Sequence, residues 1–183
     1  MAKMGNDRAG IEEKLRAARD SARSDAPRSY DIRIAADGTW FYRGSPIERL
    51  ALVKLFASVL RRDDAGDYWL VTPAERGRIE VDDAPFTAVE LSVEDPAGDG
   101  GPDQRLGLRS NLDHRIEAGT DHPLRIAFNP ETGEPRPYIL VSEGLEALIV
   151  RPVYYQLVDR AVEHDDRVGV WSGGRFFPLD QRR

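Results

Sequence analysis

The feature that most constrains this chain is a set of landmarks that occurs twice, in the same order. Gly38 and Pro46 are eight residues apart, and so are Gly144 and Pro152. Asp63 and Trp69 are six apart, as are Asp165 and Trp171. The interval from Pro46 to Asp63 is 17 residues and that from Pro152 to Asp165 is 13. These differ by close to one helical turn of about 3.6 residues, so a helix in that interval would nearly keep its buried face in both copies. The spacing predicts a β-hairpin–helix–strand unit present twice.

In the first copy, Tyr30, Ile32 and Ile34 alternate with polar residues, the period of a half-buried strand. Asp37-Gly38 is a hairpin turn signal, and Thr39–Arg43 reads as the return strand. Ser45-Pro46-Ile47-Glu48 reads as a capping box with proline at the first helical position. Leu52, Leu55, Phe56, Val59 and Leu60 would form the apolar face of that helix. Asp63–Gly66 would end it, and Tyr68–Val71 follows as a strand. In the second copy, Pro137–Val141 and Leu145–Arg151 flank a Glu143-Gly144 turn. Pro152 opens a helix with Tyr155, Leu157, Val158, Ala161 and Val162 inward, Asp165-Asp166 ends it, and Val168–Trp171 is a strand.

Further strands are expected at Gly77–Asp82, Leu106–Arg109, Leu124–Phe128 and Thr87–Glu94, the last with Val89, Leu91 and Val93 on one face. Pro96–Asp103 reads as a flexible loop, and Gly173-Gly174 as a hairpin turn. The expected fold class is α+β, two small mixed units whose antiparallel sheets are each packed by a helix. The predicted divisions are residues 1–29, 30–104 and 105–183. In the first, Ile11, Leu15, Ala18 and Ala22 recur at helical spacing.

Composition bounds the function. Hydrophobic residues make up 40% of the 183, enough for a real core. A net charge of -6 argues against a nucleic-acid partner, whose phosphates need a basic face. The absence of cysteine excludes disulfides, thiolate zinc sites and cysteine nucleophiles. No apolar run approaches a membrane span of about 20 residues, and the first residues lack a secretory apolar core. The expectation is a soluble cytoplasmic protein without a membrane partner. The three histidines show no metal-ligand spacing, so no metal is expected. Nucleophile-elbow, phosphate-loop and dinucleotide motifs are also missing, so neither a catalytic signature nor a cofactor is named.

Polar chemistry concentrates between Tyr68 and Phe86, where Glu75, Glu80, Asp82 and Asp83 stand among Arg76 and Arg78. On a strand, Glu80 and Asp82 would project from one face about 7 Å apart. Such a pair suits acid–base work or a divalent ion, and equally a solvated face whose arginines pair with its acids. Arg109 and Asn111 could fork an anion, or Asn111 and Asp113 could cap a turn. Trp40, Trp69 and Trp171 fall on strands and suit sheet packing; a base-stacking platform would need one of them exposed beside an arginine.

The runs DIRIAADGTWFYRGSPIERLALVKLF, TPAERGRIEVDDAPF, NLDHRIEAGTDHPLRI and RPYILVSEGLEALIVRPVYYQLV resemble the bacterial family known as domain of unknown function 1285, from about Tyr30 to the C-terminus. The resemblance implies two domains with a duplicated core. It also implies a C-terminal domain loosely similar to pleckstrin-homology folds, and an interface site for a nucleotide-like ligand with a role in signalling. The leading expectation is therefore a noncatalytic module that binds a small, nucleotide-like or phosphorylated ligand. Its cleft between the units would be lined by Glu75, Arg78, Glu80, Arg109, Asn111 and Arg136. The alternatives are a carboxylate-dependent hydrolase or lyase using Glu80, Asp82 and His114, and an adaptor that meets a protein partner through a strand edge or the N-terminal helix.

Overall fold

The computed structural model describes residues 28–180; the helix expected within residues 1–29 lies almost wholly outside them. Fifteen strands and two helices are present among the described residues. The first six-stranded sheet has the order β3-β2-β1-β6-β5-β4, built from β1 (Arg28–Ile34), β2 (Trp40–Tyr42), β3 (Ser45–Pro46), β4 (Leu60–Arg62), β5 (Tyr68–Val71) and β6 (Arg76–Val81). The second, β10-β11-β12-β7-β8-β9, is built from β7 (Phe86–Glu94), β8 (Arg105–Ser110), β9 (Arg115–Glu117), β10 (Leu124–Phe128), β11 (Pro135–Ser142) and β12 (Leu145–Ile149). A third sheet of β13 (Val162–His164), β14 (Arg167–Ser172) and β15 (Arg175–Pro178) closes the chain. Helices α1 (Leu50–Ser58) and α2 (Arg151–Val158) each follow a hairpin. The fold is α+β with a strong β majority.

The hairpin–helix–strand order occurs twice, and both expected helices are shorter than the spacing suggested. In each copy the segment after the helix turns into a strand. β4 pairs with β5 around the Asp63–Gly66 turn, and β13 pairs with β14 around Asp165-Asp166. Asp165 and Asp166 both have positive φ (46° and 58°), a conformation of two-residue hairpins that aspartate tolerates. These aspartates therefore close hairpins; they do not stop helices.

The capping box is also corrected. Arg43 and Gly44 turn the chain back at positive φ, and Ser45-Pro46 pair with Tyr42 and Phe41 as β3. The Ile47 amide continues that ladder to the Trp40 carbonyl at 2.8 Å. Helix α1 begins only at Leu50, with Arg49 at its N-cap and no side-chain cap. Its buried face is Val53 and Ala57, one turn apart, while Phe56 stacks on Trp40 at 6.3 Å. Leu55, expected inward, is 62% exposed. In α2, Val153 and Leu157 are buried, and Tyr155 and Val158 point outward.

The sheets change over between β6 and β7, at residues 82–85, so the expected division at 104/105 falls between β7 and β8, which pair in one sheet. β7 also departs from simple alternation. A register shift between Ala88 and Glu90 turns Val89 outward, whereas Phe86, Thr87 and Ala88 are all buried. Buried residues of both large sheets, from Ile32 and Trp40 to Ile139, form one contiguous core with Leu157 of α2.

Candidate functional site

Strand β6 presents Arg76, Arg78 and Glu80 to solvent and turns Gly77 and Ile79 inward, as alternation requires. Its charges are largely satisfied. Arg78 pairs with Asp67, Arg76 reaches Asp63 at 3.4 Å, and Arg28 reaches Glu75 at 3.4 Å. Asp82 takes a two-pronged contact from Arg33. That contact holds its carboxyl below the usual range. Glu80, in register with Arg33, lines two open pockets of about 550 and 380 Å³.

Arg109 and Asn111 are structural. Arg109 is bound to Glu90 and, at 3.2 Å, to Asp113. Asp113 also meets Lys54 of α1, which with Arg109 lowers its carboxyl pKa. Asn111 joins the two large sheets: its Oδ1 accepts from the Thr87 amide at 3.1 Å, and its Nδ2 donates to the Gly38 carbonyl at 3.4 Å. Gly38 must lack a side chain here, because its φ is +86° and a Cβ would stand 2.7 Å from that amide. Arg136 donates to Asp83, which also accepts from the Tyr138 hydroxyl at 2.7 Å. Burial and the Asp83 carboxylate push the Tyr138 hydroxyl pKa up. The six expected residues thus do not line one cleft. Glu75, Arg78 and Glu80 stand on or beside β6, whereas Arg109, Asn111 and Arg136 belong to separate clusters.

The set Glu80, Asp82 and His114 is likewise dispersed. His114 packs edge-on against Phe86 at 4.9 Å, and its Nδ1 lies 3.0 Å from Ser110 Oγ. The serine–histidine contact resembles a nucleophile and its base. However, Ser110 is fully buried, and its oxygen accepts the Leu112 and His114 amides. Burial lowers the His114 pKa, so its neutral form is favoured. Among the described residues no three histidine, aspartate or glutamate side chains converge as a metal cluster. Trp40 and Trp69 are core residues at 2% and 7% exposure. Arg76 lies over the Trp69 ring at 3.7 Å and covers it, so that tryptophan offers no open stacking face.

A cleft between the two halves does exist, at residues the sequence reading passed over. It has a volume of about 740 Å³ and lies between Leu60–Gly66 and the Ser142–Leu145 turn. Arg61 and Arg62 line it from β4, the edge strand of its sheet. Among the described residues neither pairs with a carboxylate. The Arg61 guanidinium donates to the Ser58 and Leu60 carbonyls, and Arg62 donates to the Gly66 carbonyl at 3.3 Å and lies over the Tyr68 ring at 5.3 Å. Gly144 allows the close approach of the halves: its φ is +70°, and a Cβ there would meet the Arg62 Cβ at 3.3 Å. Asp63, which also lines the cleft, is committed elsewhere. It accepts from the Ala65 and Asp67 amides and, at 2.7 Å, from the Trp69 indole. Burial opposes its charge, but these bonds and Arg76 outweigh it and hold the carboxyl below its usual range. The signal for this cleft was in the sequence as the Arg61-Arg62 pair, which the reading placed at a helix end.

The fold and cleft define a β-rich protein of two closely packed halves that meet at a polar groove. Two family models cover it: the N-terminal domain of a domain of unknown function (DUF1285) matches residues 24–84, and the C-terminal domain of the same family matches residues 85–179. The chain belongs to the DUF1285 family. It is similar to a DUF1285 protein of Silicibacter pomeroyi DSS-3 with 47% identity and a TM-score of 0.76, over 82% of this chain and 80% of that one. A second solved relative, from Shewanella baltica OS155, has 25% identity and a TM-score of 0.54, over 72% of this chain and 92% of that one. No curated protein matches the chain. No helix among the described residues is long and apolar enough to cross a membrane.

Proposed function

We propose that this protein is a noncatalytic binding module that holds a small phosphorylated ligand in the cleft between its halves. The observation that carries the reading is the pair Arg61 and Arg62, which line a groove of about 740 Å³ without a carboxylate partner. A guanidinium presents forked donors that match a phosphate, and this pair needs no existing ion pair to break first. The volume falls in the ordinary range for small-ligand sites. Asp64 and Glu143 share the lining, which favours a ligand that places its phosphate toward β4 and its polar remainder toward the turn. Binding would bridge the halves and so report on their relative position, a geometry suited to signalling.

A thermal-shift titration with ATP, GTP, pyrophosphate and sugar phosphates tests the reading. At about 100 times its dissociation constant, a ligand stabilises the fold by about 2.7 kcal/mol. The shift should disappear in R61A/R62A and persist in R78A, which is paired with Asp67 and does not line the cleft. No shift with any phosphate, or an equal shift in R61A/R62A, sinks the proposal.

A further inference from the structure

The turn from Ser110 to His114 joins β8 to β9, and through it the second half of the chain grips the first. Two side chains reach across. Asn111 Nδ2 donates to the Gly38 carbonyl, while its Oδ1 accepts from the Thr87 amide and its own amide donates to the Thr87 carbonyl at 2.8 Å. Asp113, at a positive φ of 67°, meets Lys54 of α1 at 2.5 Å. Leu112, between them, is buried in the core. The turn has to hold its shape for these contacts to be made.

The hydrogen bonds inside the turn fix where its protons lie. Ser110 is buried, and its Oγ has three partners: the Leu112 amide at 3.2 Å, the His114 amide at 3.0 Å and His114 Nδ1 at 3.0 Å. The two amides can only donate, so they occupy both lone pairs of the hydroxyl. Its one hydrogen is left for Nδ1, which must accept. The imidazole is thus held as the tautomer with a bare Nδ1 and its proton on Nε2. An imidazolium carries hydrogen on both nitrogens. Its Nδ1–H would face an oxygen with no lone pair left, and the serine hydrogen would lose its acceptor. Taking up a proton at Nδ1 therefore makes the ring swing away or one amide let go, and either undoes part of the turn.

The surroundings act in the same direction. Burial is the largest influence on the ring and lowers its affinity for a proton, and Lys54 of α1 opposes a second positive charge beside it. Asp113 favours one, but its carboxylate is already shared by Lys54 and Arg109. From β7 the ring meets the edge-on Phe86, and Glu90 of that strand is held by Arg109.

We propose that Ser110 and His114 form a pH-sensitive latch, which keeps the two halves joined while the imidazole is neutral and releases Asn111 from Gly38 and Thr87 when the ring takes up a proton. The latch residues lie outside the lining of the arginine cleft, and the device does not depend on what that cleft holds. It is closed at neutral pH and opens as pH falls through the folded pKa of His114, which lies below the ordinary value of about 6.5.

Nuclear magnetic resonance on the full chain tests this. Long-range proton–nitrogen correlation of the histidine rings at about pH 7.5 should show His114 with a bare Nδ1 and a protonated Nε2. Hydrogen exchange followed from about pH 7.5 to about pH 5 should show the protection factors of the Thr87 and Asn111 amides falling about tenfold, a factor that matches one lost hydrogen bond. Amides of the β11–β12 ladder should keep theirs, which separates release of the latch from global unfolding. In H114Q, Ser110 can still donate to a side-chain carbonyl that does not titrate, so the protection should not change with pH. An Nδ1-protonated tautomer at neutral pH overturns the latch, as does a ring that stays neutral down to about pH 5. So does protection of Thr87 and Asn111 that stays constant while His114 titrates, or a loss shared equally by the β11–β12 ladder. An equal loss in H114Q also overturns it, because the change would then belong to another group such as Asp113.

Discussion

Two polar surfaces of this molecule look alike in composition and differ in bookkeeping. On the outer face of the first sheet, Arg28, Arg33, Arg76 and Arg78 stand among acids, and each has one in contact: Glu75, Asp82, Asp63 and Asp67. At the edge of the same sheet, Arg61 and Arg62 also stand near acids, yet their donors reach only main-chain carbonyls and an aromatic face. The first surface is the denser in charge and was the obvious candidate. A charge that already has its counterion gains little from exchanging it for a ligand, whereas an uncompensated one gains the whole interaction. Unpaired charge in a concavity, more than density of charge, marks where a ligand would go.

The comparison can be sharpened first through its anchor. Leu60 precedes the two arginines on β4 and is fully buried, so the cleft wall is tied to the core by one side chain. Leu60→Ala should lower stability by about 2–5 kcal/mol, the range for a buried leucine cut to alanine. Arg61→Ala, one residue on and exposed, should leave it almost unchanged. Urea denaturation of both variants checks this; a loss below about 1 kcal/mol for Leu60→Ala would mean that the core relaxes around the gap.

Two glycines separate the surfaces next. On β6, a Cβ at Gly77 would stand 2.2 Å from the Tyr30 ring, so Gly77→Ala must move that ring and should cost about 1–3 kcal/mol. At the cleft, Gly144→Ala forces a left-handed alanine, costing about 1–2 kcal/mol, and crowds Arg62. Gly77→Ala should leave the phosphate-induced thermal shift intact and Gly144→Ala should diminish it. The reverse pattern would move the site back to β6.

What could be read from the sequence, and what could not, follows from the range over which each signal acts. Local signals were sound: the Asp37-Gly38, Glu143-Gly144 and Gly173-Gly174 turns lie between paired strands, and β6, β8 and β10 fall close to where alternation put them. Duplication was legible as element order because hairpins, helices and aspartate turns each have a local signature. Sheet membership was not. Nothing near Thr87 says that β7 will run parallel to β12 while β1 runs parallel to β6. The helices were overextended because Leu60 and Val162 continue a helical period while their backbones pair as strands. That the six expected site residues do not line one cleft has a related reason: whether an arginine is paired depends on side chains far away in sequence. Asp67 satisfies Arg78 and Glu90 satisfies Arg109 across strands, and no spacing rule announces either.

The smallest expected effect concerns protons. Asp82 is held ionised chiefly by its hydrogen bonds from Arg33, with a further contribution from that guanidinium's charge, and its folded pKa lies below that of an ordinary aspartate. A carboxyl depressed in this way contributes stability above its unfolded pKa and loses it as pH falls through the folded one. His114 acts in the same sense at higher pH. Burial lowers its pKa from 6.5, so the unfolded chain binds the extra proton first and stability declines as pH falls below about 6.5. The melting temperature should therefore descend in two stages, the first lost in a His114→Gln variant and the second reduced in Asp82→Asn. Arg61→Ala and Arg62→Ala should follow the wild-type curve throughout, since no carboxylate depends on either guanidinium. A second stage that shrinks in Arg62→Ala would reveal an ion pair at the cleft in solution, and would erase the difference between the two surfaces.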